Sequence, residues 1–307
     1  MALITSAILS ALNTGLKKNF KDGYDTMKAE AVWTRIATLV PSSTASNTYG
    51  WLKDFPAMRE WVGDRVIKDM ASAGYQIANK LYEATVGVKR TDIEDDQFGH
   101  YAPIVRTMGE EAAQHPDRLI AALLAGGTAS LCFDGQNFFD TDHPVYANHD
   151  GTGAVTTVSN YNNGGGAPGP AWYLLDTRKA IRPFLFQERT KPEFDSLTDP
   201  SATDSVFMKD QYLHGIRYRC NAGFAFWQMA YCSKAALDAT SYEAAKLAMR
   251  KLTADGGRPL GIRPNVIVVN SDNEAAARAL FEAMMIGGGN SNPNYKDVEI
   301  IVNPWLP

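Results

Sequence analysis

The sequence has little of what marks a membrane protein, a secreted protein or a nucleic-acid-binding protein. No run of eighteen apolar residues occurs, so no membrane-spanning helix is predicted. The first residues, MALITSAILSALNTGLKK, lack the basic start and the cleavage site of a secretory signal, and we therefore expect a cytoplasmic product. Thirty basic and 34 acidic residues give a formal charge of −4, without the basic excess that phosphate binding requires. A DNA-binding protein is therefore disfavoured.

Cysteine is also scarce. Cys132, Cys220 and Cys232 form no CxxC pair and leave an odd number, which argues against a disulfide framework and against a zinc site. We expect all three to be reduced and buried. With 307 residues, 45% of them hydrophobic, the chain can still bury a large core and form one large or two modest domains.

The short motifs of common enzymes are missing as well. There is no HExxH helix and no GxSxG turn, and neither glycine-rich piece fits a phosphate loop or GxGxxG. Asp140, Asp142 and His143, in FFDTDHP, have the side-chain types of a metal site and keep a metal-dependent hydrolase open as an alternative, although a structural turn explains them better. The acidic stretch 94–96 could bind a cation, but helix capping already accounts for it. We predict no catalytic, cofactor or metal residue.

What the sequence does contain is a long helical stretch from Thr91 to Gly127. Thr91 and Glu94 have the spacing of a capping box, and apolar residues then recur at helical spacing as far as Leu124. Pro116 predicts a kink or a restart near His115. A helix of this length predicts a spine for the fold.

The chain before this helix divides into three parts. Residues 2–20 carry leucine and isoleucine at three- and four-residue steps, which predicts an amphipathic helix whose apolar face needs a partner. The stretch 41–50 is polar and rich in turn residues. Residues 65–70 and 74–90 then predict a long β-hairpin with a short turn, charged along both strands and with little apolar face of its own. Such a ribbon is marginal alone, so it lies against the spine or on another molecule.

The chain after the helix alternates between turn-rich and strand-forming segments. Residues 148–171 predict a surface loop, 172–176 a strand, and 180–187 an edge strand because of Pro183. The aromatic segment 205–233 predicts long paired strands. The last part predicts a compact α/β unit with these elements in chain order: a helix at 242–252 capped by Ser241, a buried strand at 265–270, a helix at 273–285 begun by Ser271 and Glu274, a flexible loop, and a strand at 298–302.

Several segments in this order resemble the Mu-like major head subunits of tailed phages and prophages. They are TYGWL, REWVGDR, DIEDD, YAPI, CFDGQNFFDTDHPVY, FQER, VFM and GFAFWQMA, and the similarity runs from the N-terminal helix nearly to Leu306. No single segment is specific, but the order and spacing over the whole chain make chance an implausible explanation.

The resemblance implies an α+β chain with the HK97-like capsid fold. Such a subunit has an N-terminal arm, an extended hairpin called the E-loop, a peripheral domain on a spine helix, and an axial domain around capsomer axes. In this chain the implied ranges are 1–48 for the arm, 49–90 for the E-loop region, 91–147 with 205–235 for the peripheral domain, and 148–204 with 236–307 for the axial domain and insertions. We expect 205–233 to cover the spine, and 240–302 to form a separate core, an order that looks exchanged relative to other proteins of this fold.

The implied function is structural and not enzymatic. Copies of the chain would form hexamers and pentamers of an icosahedral phage head, assembled in the host cytoplasm and enclosing double-stranded DNA held non-specifically on the inner face. A separate scaffold, a protease and a portal protein are expected partners. We predict subunit contacts at the N-terminal helix, at the E-loop and at an axial glycine loop; the residues are Leu3, Ile4, Ile8, Leu12, Arg65, Lys68, Ser72, Gly74, Gly288 and Gly289.

Overall fold

The computed structural model describes residues 6–50, 74–94, 98–166, 168–199 and 208–307. Its helices are α1 (Ser6–Lys28), α2 (Trp33–Ile36), α3 (Arg90–Glu94), α4 (Tyr101–Gly126), α5 (Ala239–Arg250) and α6 (Glu274–Phe281). Its strands are β1 (Ala37–Pro41), β2 (Ser46–Tyr49), β3 (Tyr75–Ala78), β4 (Lys80–Lys89), β5 (His143–Tyr146), β6 (Val155–Val158), β7 (Tyr161–Asn162), β8 (Trp172–Leu175), β9 (Phe184–Leu197), β10 (Gln211–Phe224), β11 (Ala230–Ser233), β12 (Val266–Val269), β13 (Met285–Ile286), β14 (Asn290–Ser291) and β15 (Glu299–Val302).

The spine predicted from the sequence is helix α4, 26 residues long. It runs without interruption through Pro116, so the predicted restart near His115 is wrong. Both halves of the helix are packed, the first against α1 and the second against the main core, and this packing offsets the hydrogen bond that proline removes. The prediction of a capping box at Thr91 and Glu94 is also wrong, because α3 already begins at Arg90 and Thr91 lies inside it.

Helix α1 lies along α4 at a very short distance, made possible by glycine. A Cβ atom on Gly109 of α4 would lie 2.1 Å from the Phe20 carbonyl oxygen, and one on Gly23 of α1 would lie 2.2 Å from the Arg106 carbonyl oxygen. Leu16 and Phe20 are buried in this contact. The two helices therefore touch backbone to backbone, and the N-terminal helix is part of the subunit's own core.

A four-stranded sheet in the order β1-β9-β10-β4 covers the spine. Along β10 the even-numbered residues from Tyr212 to Cys220 are buried, as the two-residue period of a strand requires when one face packs. Ile216 of β10 and Val105 of α4 share one apolar cluster. The prediction that the segment 205–233 covers the spine is confirmed for β10.

One strand prediction in this sheet is wrong. The segment that holds Pro183 was expected to form an edge strand, but β9 begins after this proline and lies between β1 and β10. Residues 74–90 are predicted to pair with 65–70, which lie outside the described residues, so that pairing stays a prediction. Among the described residues, β3 pairs with β2, and β4 pairs with β10 along its whole length. The second half of the predicted hairpin is thus built into the subunit's own sheets.

The C-terminal half holds a five-stranded sheet in the order β15-β12-β8-β11-β7. Strands β8, β11 and β12 are buried at every position, which matches their apolar sequences. The predicted strands at 172–176, 265–270 and 298–302 are present with slightly shorter bounds. Helix α5 starts earlier than predicted, because Asp238 is its N-cap and Ser241 completes a capping box three residues later.

Other details of this half differ from the sequence predictions. Helix α6 ends at Phe281 and not at Met285, and its N-cap, Asn273, makes no capping hydrogen bond through its side chain. The expected surface loop 148–171 contains β6 and β7. The α/β unit does not have a separate core, because one apolar cluster runs from Leu124 and Phe184 to Val268. Within the described part of the chain, no helix combines the length and apolar character needed to cross a bilayer.

Candidate functional site

His143, one of the three residues that sequence analysis predicted as a possible metal site, takes part in a buried hydrogen-bond network. His143 is fully buried at the start of β5, and its Nδ1 lies 2.7 Å from Asp134 Oδ2. The other carboxylate oxygen of Asp134 accepts from the Cys132 thiol, at 3.0 Å, and from the Gln136 amide, also at 3.0 Å. The carboxylate of Asp134 therefore closes the turn that begins at Cys132.

The second ring nitrogen of His143 faces Asn160. The Asn160 amide donates to the carbonyl oxygens of Phe138, Trp227 and Ala230, so its side-chain oxygen must be the acceptor for His143 Nε2, 3.2 Å away. Both ring nitrogens of His143 therefore lie within hydrogen-bond distance of a side-chain oxygen, Nδ1 of the Asp134 carboxylate and Nε2 of the Asn160 amide. The ring also stacks on Trp227, with 3.9 Å between ring centroids. His143 thus fastens the turn-rich segment to the core.

The pKa shifts agree with a structural network. Burial raises the pKa of the Cys132 thiol well above its ordinary value, which keeps it protonated and unreactive. Burial also pushes the pKa of Asp134 upward, but hydrogen bonds from His143 and Cys132 outweigh this and hold it below its ordinary value. Asp134 therefore stays ionised as the acceptor of the cluster.

The predicted trio Asp140, Asp142 and His143 does not form a site. The Asp140 carboxylate accepts from the backbone amides of Asn137 and Thr141, at 3.2 and 2.7 Å. The three groups that do lie together are Cys132, Asp134 and His143, and their polar atoms are already hydrogen-bonded to one another. A metal ion would have to replace two of these bonds. The arrangement is explained as a turn that needs no ion.

A surface cleft of about 490 Å³ lies beside Trp33, and it is lined by three cations. Each of them already serves the fold. Arg178 pairs with Asp176 at 2.8 Å, Lys179 donates to the Leu260 carbonyl oxygen at 3.2 Å, and Arg182 donates to the Ala37 carbonyl oxygen at 3.3 Å. All three cations are therefore already engaged within the subunit, and the cleft does not indicate an anion-binding site.

Asp117 is a buried carboxylate that sequence analysis missed. It lies on α4, is 4% exposed, and accepts a 2.6 Å hydrogen bond from the backbone amide of Trp33, at the start of α2. Burial raises the pKa of Asp117 to about 6, although hydrogen bonds from the amides of Trp33 and Val32 act in the opposite direction. This side chain joins the spine to the segment that leads out of α1.

We predict that Asp117→Asn and Asp117→Ala separate the hydrogen bond from the charge. The raised pKa means that the folded state binds the proton of Asp117 more tightly than the unfolded state does. The stabilisation of the fold by this proton is complete below about pH 3.8 and is lost as pH rises through about 6. Asn keeps an acceptor for Trp33 without the charge, and should flatten the stability profile between these pH values. Ala removes both the charge and the acceptor, so its profile should be equally flat and lie about 1 kcal/mol below that of the Asn variant. Urea unfolding from pH 4 to 8 measures both; identical pH profiles for the Asp117→Asn variant and the wild-type protein would contradict this assignment.

The predicted contact residues of the N-terminal helix have a different role from the one expected. Leu12 and Leu16 face the subunit's own α4 and β10, in the cluster that includes Val105 and Ile216. The hypothesis that this face docks on an adjacent subunit is therefore wrong for Leu16, which is 2% exposed, and stays a prediction for Leu12, which is partly buried. Leu3 and Ile4 lie outside the described residues, and a neighbour contact for Ile8 stays a prediction.

The predicted E-loop residues Arg65, Lys68 and Ser72 also lie outside the described residues. Gly74, at the end of this segment, lies close to the chain just before it. A Cβ atom there would be 2.6 Å from the Gly50 amide nitrogen and 2.9 Å from the Thr48 side chain. Gly74 therefore allows β2 and β3 to approach within one subunit, and a contact of the loop tip with a neighbour stays a prediction.

Gly288 and Gly289 form the tip of the hairpin β13–β14, both with positive φ angles of 83° and 79°. The strand before this tip is unusually apolar for a surface: Met284, Met285 and Ile286 are 67%, 66% and 47% exposed. A projecting hairpin with three adjacent exposed apolar side chains is a candidate protein–protein contact. We call residues 284–291 the apolar hairpin.

Comparison with known proteins identifies the relatives of this chain. The family model described as "Mu-like prophage major head subunit gpT" matches residues 9–306. The "Major capsid protein" of Escherichia phage Mu is 43% identical over 307 residues, covering 99% of this chain and 100% of the relative. The "Mu-like prophage FluMu major head subunit" of Haemophilus influenzae is 44% identical over 284 residues, covering 92% and 91%.

Solved structures of phage shells resemble this chain over its whole length. A chain of the procapsid of bacteriophage JBD30 matches with a TM-score of 0.87 and 52% identity, covering 99% of this chain and 100% of the other. A chain of the bacteriophage JBD30 capsid matches with a TM-score of 0.76 and 41% identity, with 100% of both chains covered.

Proposed function

The chain belongs to the family of Mu-like prophage major head subunits, with the HK97-like capsid fold, and from that premise we propose how its copies meet in the shell. It is a structural protein, the major capsid protein of a tailed phage, and it forms the capsid shell. It is not an enzyme, and the hydrolase alternative built on Asp140, Asp142 and His143 is not supported.

The apolar hairpin is the proposed contact around capsomer axes. Its side chains Met284, Met285 and Ile286 are exposed in the single subunit, and removing them from water would favour association at about 25 cal/mol per Å² of apolar area. A second copy of the chain is the occupant we propose, because a shell subunit meets its own copies at closely spaced and repeated positions. The tip glycines Gly288 and Gly289 let the hairpin turn without adding bulk near an axis.

The finer features of assembly are proposals of the same kind. We propose hexamers and pentamers as the capsomers, and an E-loop region, residues 49–90, whose tip near residues 71–74 rests on a neighbouring subunit. A separate scaffold with its protease and a portal protein would act in the host cytoplasm. Double-stranded DNA would touch the inner face non-specifically, which a subunit of charge −4 tolerates without attracting it strongly.

Co-expression tests the assembly proposal. The full chain is produced with and without a scaffold protein, and sedimentation velocity and electron microscopy report the products. We expect closed particles of uniform size with the scaffold, and capsomers or irregular shells without it. Only monomers under both conditions, at concentrations where related shells form, would contradict the proposed self-contacts. Five-fold and six-fold capsomers in averaged images would support the proposed arrangement.

A further inference from the structure

One buried imidazole lies in the layer between helix α1 and the sheet and has no role in the contacts described above. His214 is on β10, is fully buried, and neither of its ring nitrogens has a hydrogen-bond partner among the described residues. Its ring stacks on Phe194 of β9, with 6.0 Å between centroids, and Phe194 in turn contacts Phe20 of α1, at 5.4 Å. The imidazole is therefore surrounded by apolar groups of β9 and α1.

The residues on either side of His214 show which part of α1 covers it. Tyr212, two residues before it, shares an apolar cluster with Leu9 and Leu12. Ile216, two residues after it, shares a cluster with Leu16. The positions on both sides of His214 thus share clusters with the stretch of α1 that runs from Leu9 to Leu16 and carries Asn13. The side-chain oxygen of Asn13 is buried without a partner in the described part of the chain as well.

Charged groups on the surrounding elements are directed towards solvent. They are Lys17 on α1, Arg106, Glu110 and Glu111 on α4, Glu193 and Asp195 on β9, Glu83 on β4 and Arg217 on β10, all of them exposed or partly exposed. A second histidine on these elements, His115 of α4, packs between the rings of Tyr82 and Tyr218. Burial alone lowers the pKa of His214 to about 4, so no neighbouring carboxylate stabilises its charged form.

We propose that His214 makes the packing of helix α1 on the subunit sensitive to acid, so that protonation of the imidazole releases the helix from the sheet. Neither ring nitrogen of His214 has a hydrogen-bond partner among the described residues, so an imidazolium in this layer would be an unpaired charge, which is costly to bury. When α1 separates, water reaches the ring and solvates the proton. The N-terminal helix is then free at low pH while the α4–β10 layer keeps its other contacts. The proposal concerns the single subunit and does not depend on how copies meet.

The size of the expected pH effect follows from the difference in the pKa of His214 between the covered and the solvated state. With a pKa of about 4 when covered and about 6.5 when solvated, the equilibrium for opening α1 should rise about 20-fold between pH 7 and pH 5. In sign, the stabilisation from a neutral His214 is complete above the solvated pKa and is lost as pH falls towards the covered one.

Hydrogen exchange of the unassembled full chain tests this directly. Amide protection in peptides covering residues 6–28 is measured from pH 7 to pH 5 and corrected for intrinsic exchange. We expect the roughly 20-fold loss of protection in the wild-type protein, and little pH dependence in His214→Phe. His100→Phe is the matched control, because His100 is exposed and its replacement should leave the wild-type response intact.

A second apolar variant, His214→Met, is included in case phenylalanine does not fit at this buried position. If either folded variant at position 214 keeps the wild-type pH response in α1, or if the wild-type helix shows none, the proposal is overturned. Loss of the response in both variants and retention in His100→Phe would support it. Assembly is not needed for this measurement, so its outcome is independent of the proposed subunit contacts.

Discussion

Replacing Gly109 with alanine is expected to lower the free energy of unfolding by about 3 kcal/mol, the upper part of the range for overpacking a well-packed interior. The added methyl group would lie 2.1 Å from the Phe20 carbonyl oxygen and 2.9 Å from the Tyr24 amide nitrogen. Both atoms belong to the backbone of α1, so no side-chain rotation can relieve the contact. The helices must separate, and Leu16 and Val105 would lose packing with them.

Gly15→Ala, in helix α1, is the matched control. Gly15 also lies inside a helix, but nothing is within 4 Å of its added Cβ. Alanine there should stabilise the subunit by about 0.5–1 kcal/mol, because glycine is the poorer helix former. Chemical denaturation of the two variants measures the contrast. Equal or greater stability of the Gly109→Ala protein would show that α1 and α4 are not in backbone contact.

The elements that sequence analysis located well are those whose pattern is local. The apolar residues that recur every three or four positions in α1 and α4 reveal a helix without reference to any other segment. In the same way, the run Val266–Val269 indicates a buried strand from its composition alone. The end of α4 at Gly126 also follows from its own sequence, whereas its start at Tyr101 does not, because the predicted helix begins at Thr91.

What sequence analysis missed depends on partners far along the chain. Asp117 is an ordinary acidic helix residue until Trp33, 84 positions earlier, places an amide against it. Asn160 belongs to a Gly/Asn-rich stretch that predicts a loop, yet its amide donates to Trp227 and Ala230, roughly 70 residues away. Such polar residues acquire a fixed role only through tertiary contacts, which no local pattern encodes.

The pairing of β4 with a distant strand was missed for a related reason. Alternation along residues 74–90 predicts a strand but does not choose its partners, and the sequence alone suggests the neighbouring segment 65–70. The observed partner of β4 is β10, more than 120 residues later, whose buried face already covers α4. Joining β10 lets Ala84 and Val86 pack on the cluster that holds Val105. Burial of these apolar side chains decides the pairing, although the loop between distant strands costs more entropy to close.

The largest effect on assembly is expected at the apolar hairpin. Replacing Met284, Met285 and Ile286 together with serine, serine and threonine should abolish closed particles while leaving the subunit folded. The three side chains are 67%, 66% and 47% exposed, so the fold does not depend on them. In a shell, each such side chain that becomes buried contributes about 1.5–3 kcal/mol.

Loss of even two of these contributions per contact amounts to about 3 kcal/mol, more than a hundredfold in each association constant. Because a shell repeats the same contact in every capsomer, this loss is compounded over many copies, and assembly should fail outright and not merely slow down. Met208→Gln is the control, since Met208 is 75% exposed but lies elsewhere. Thermal melting of the unassembled chains should be unchanged for both variants, and electron microscopy with scaffold should show particles for Met208→Gln alone. Normal particles from the triple variant would place the hairpin away from every subunit contact, and the axial position proposed for Gly288 and Gly289 would then fall with it.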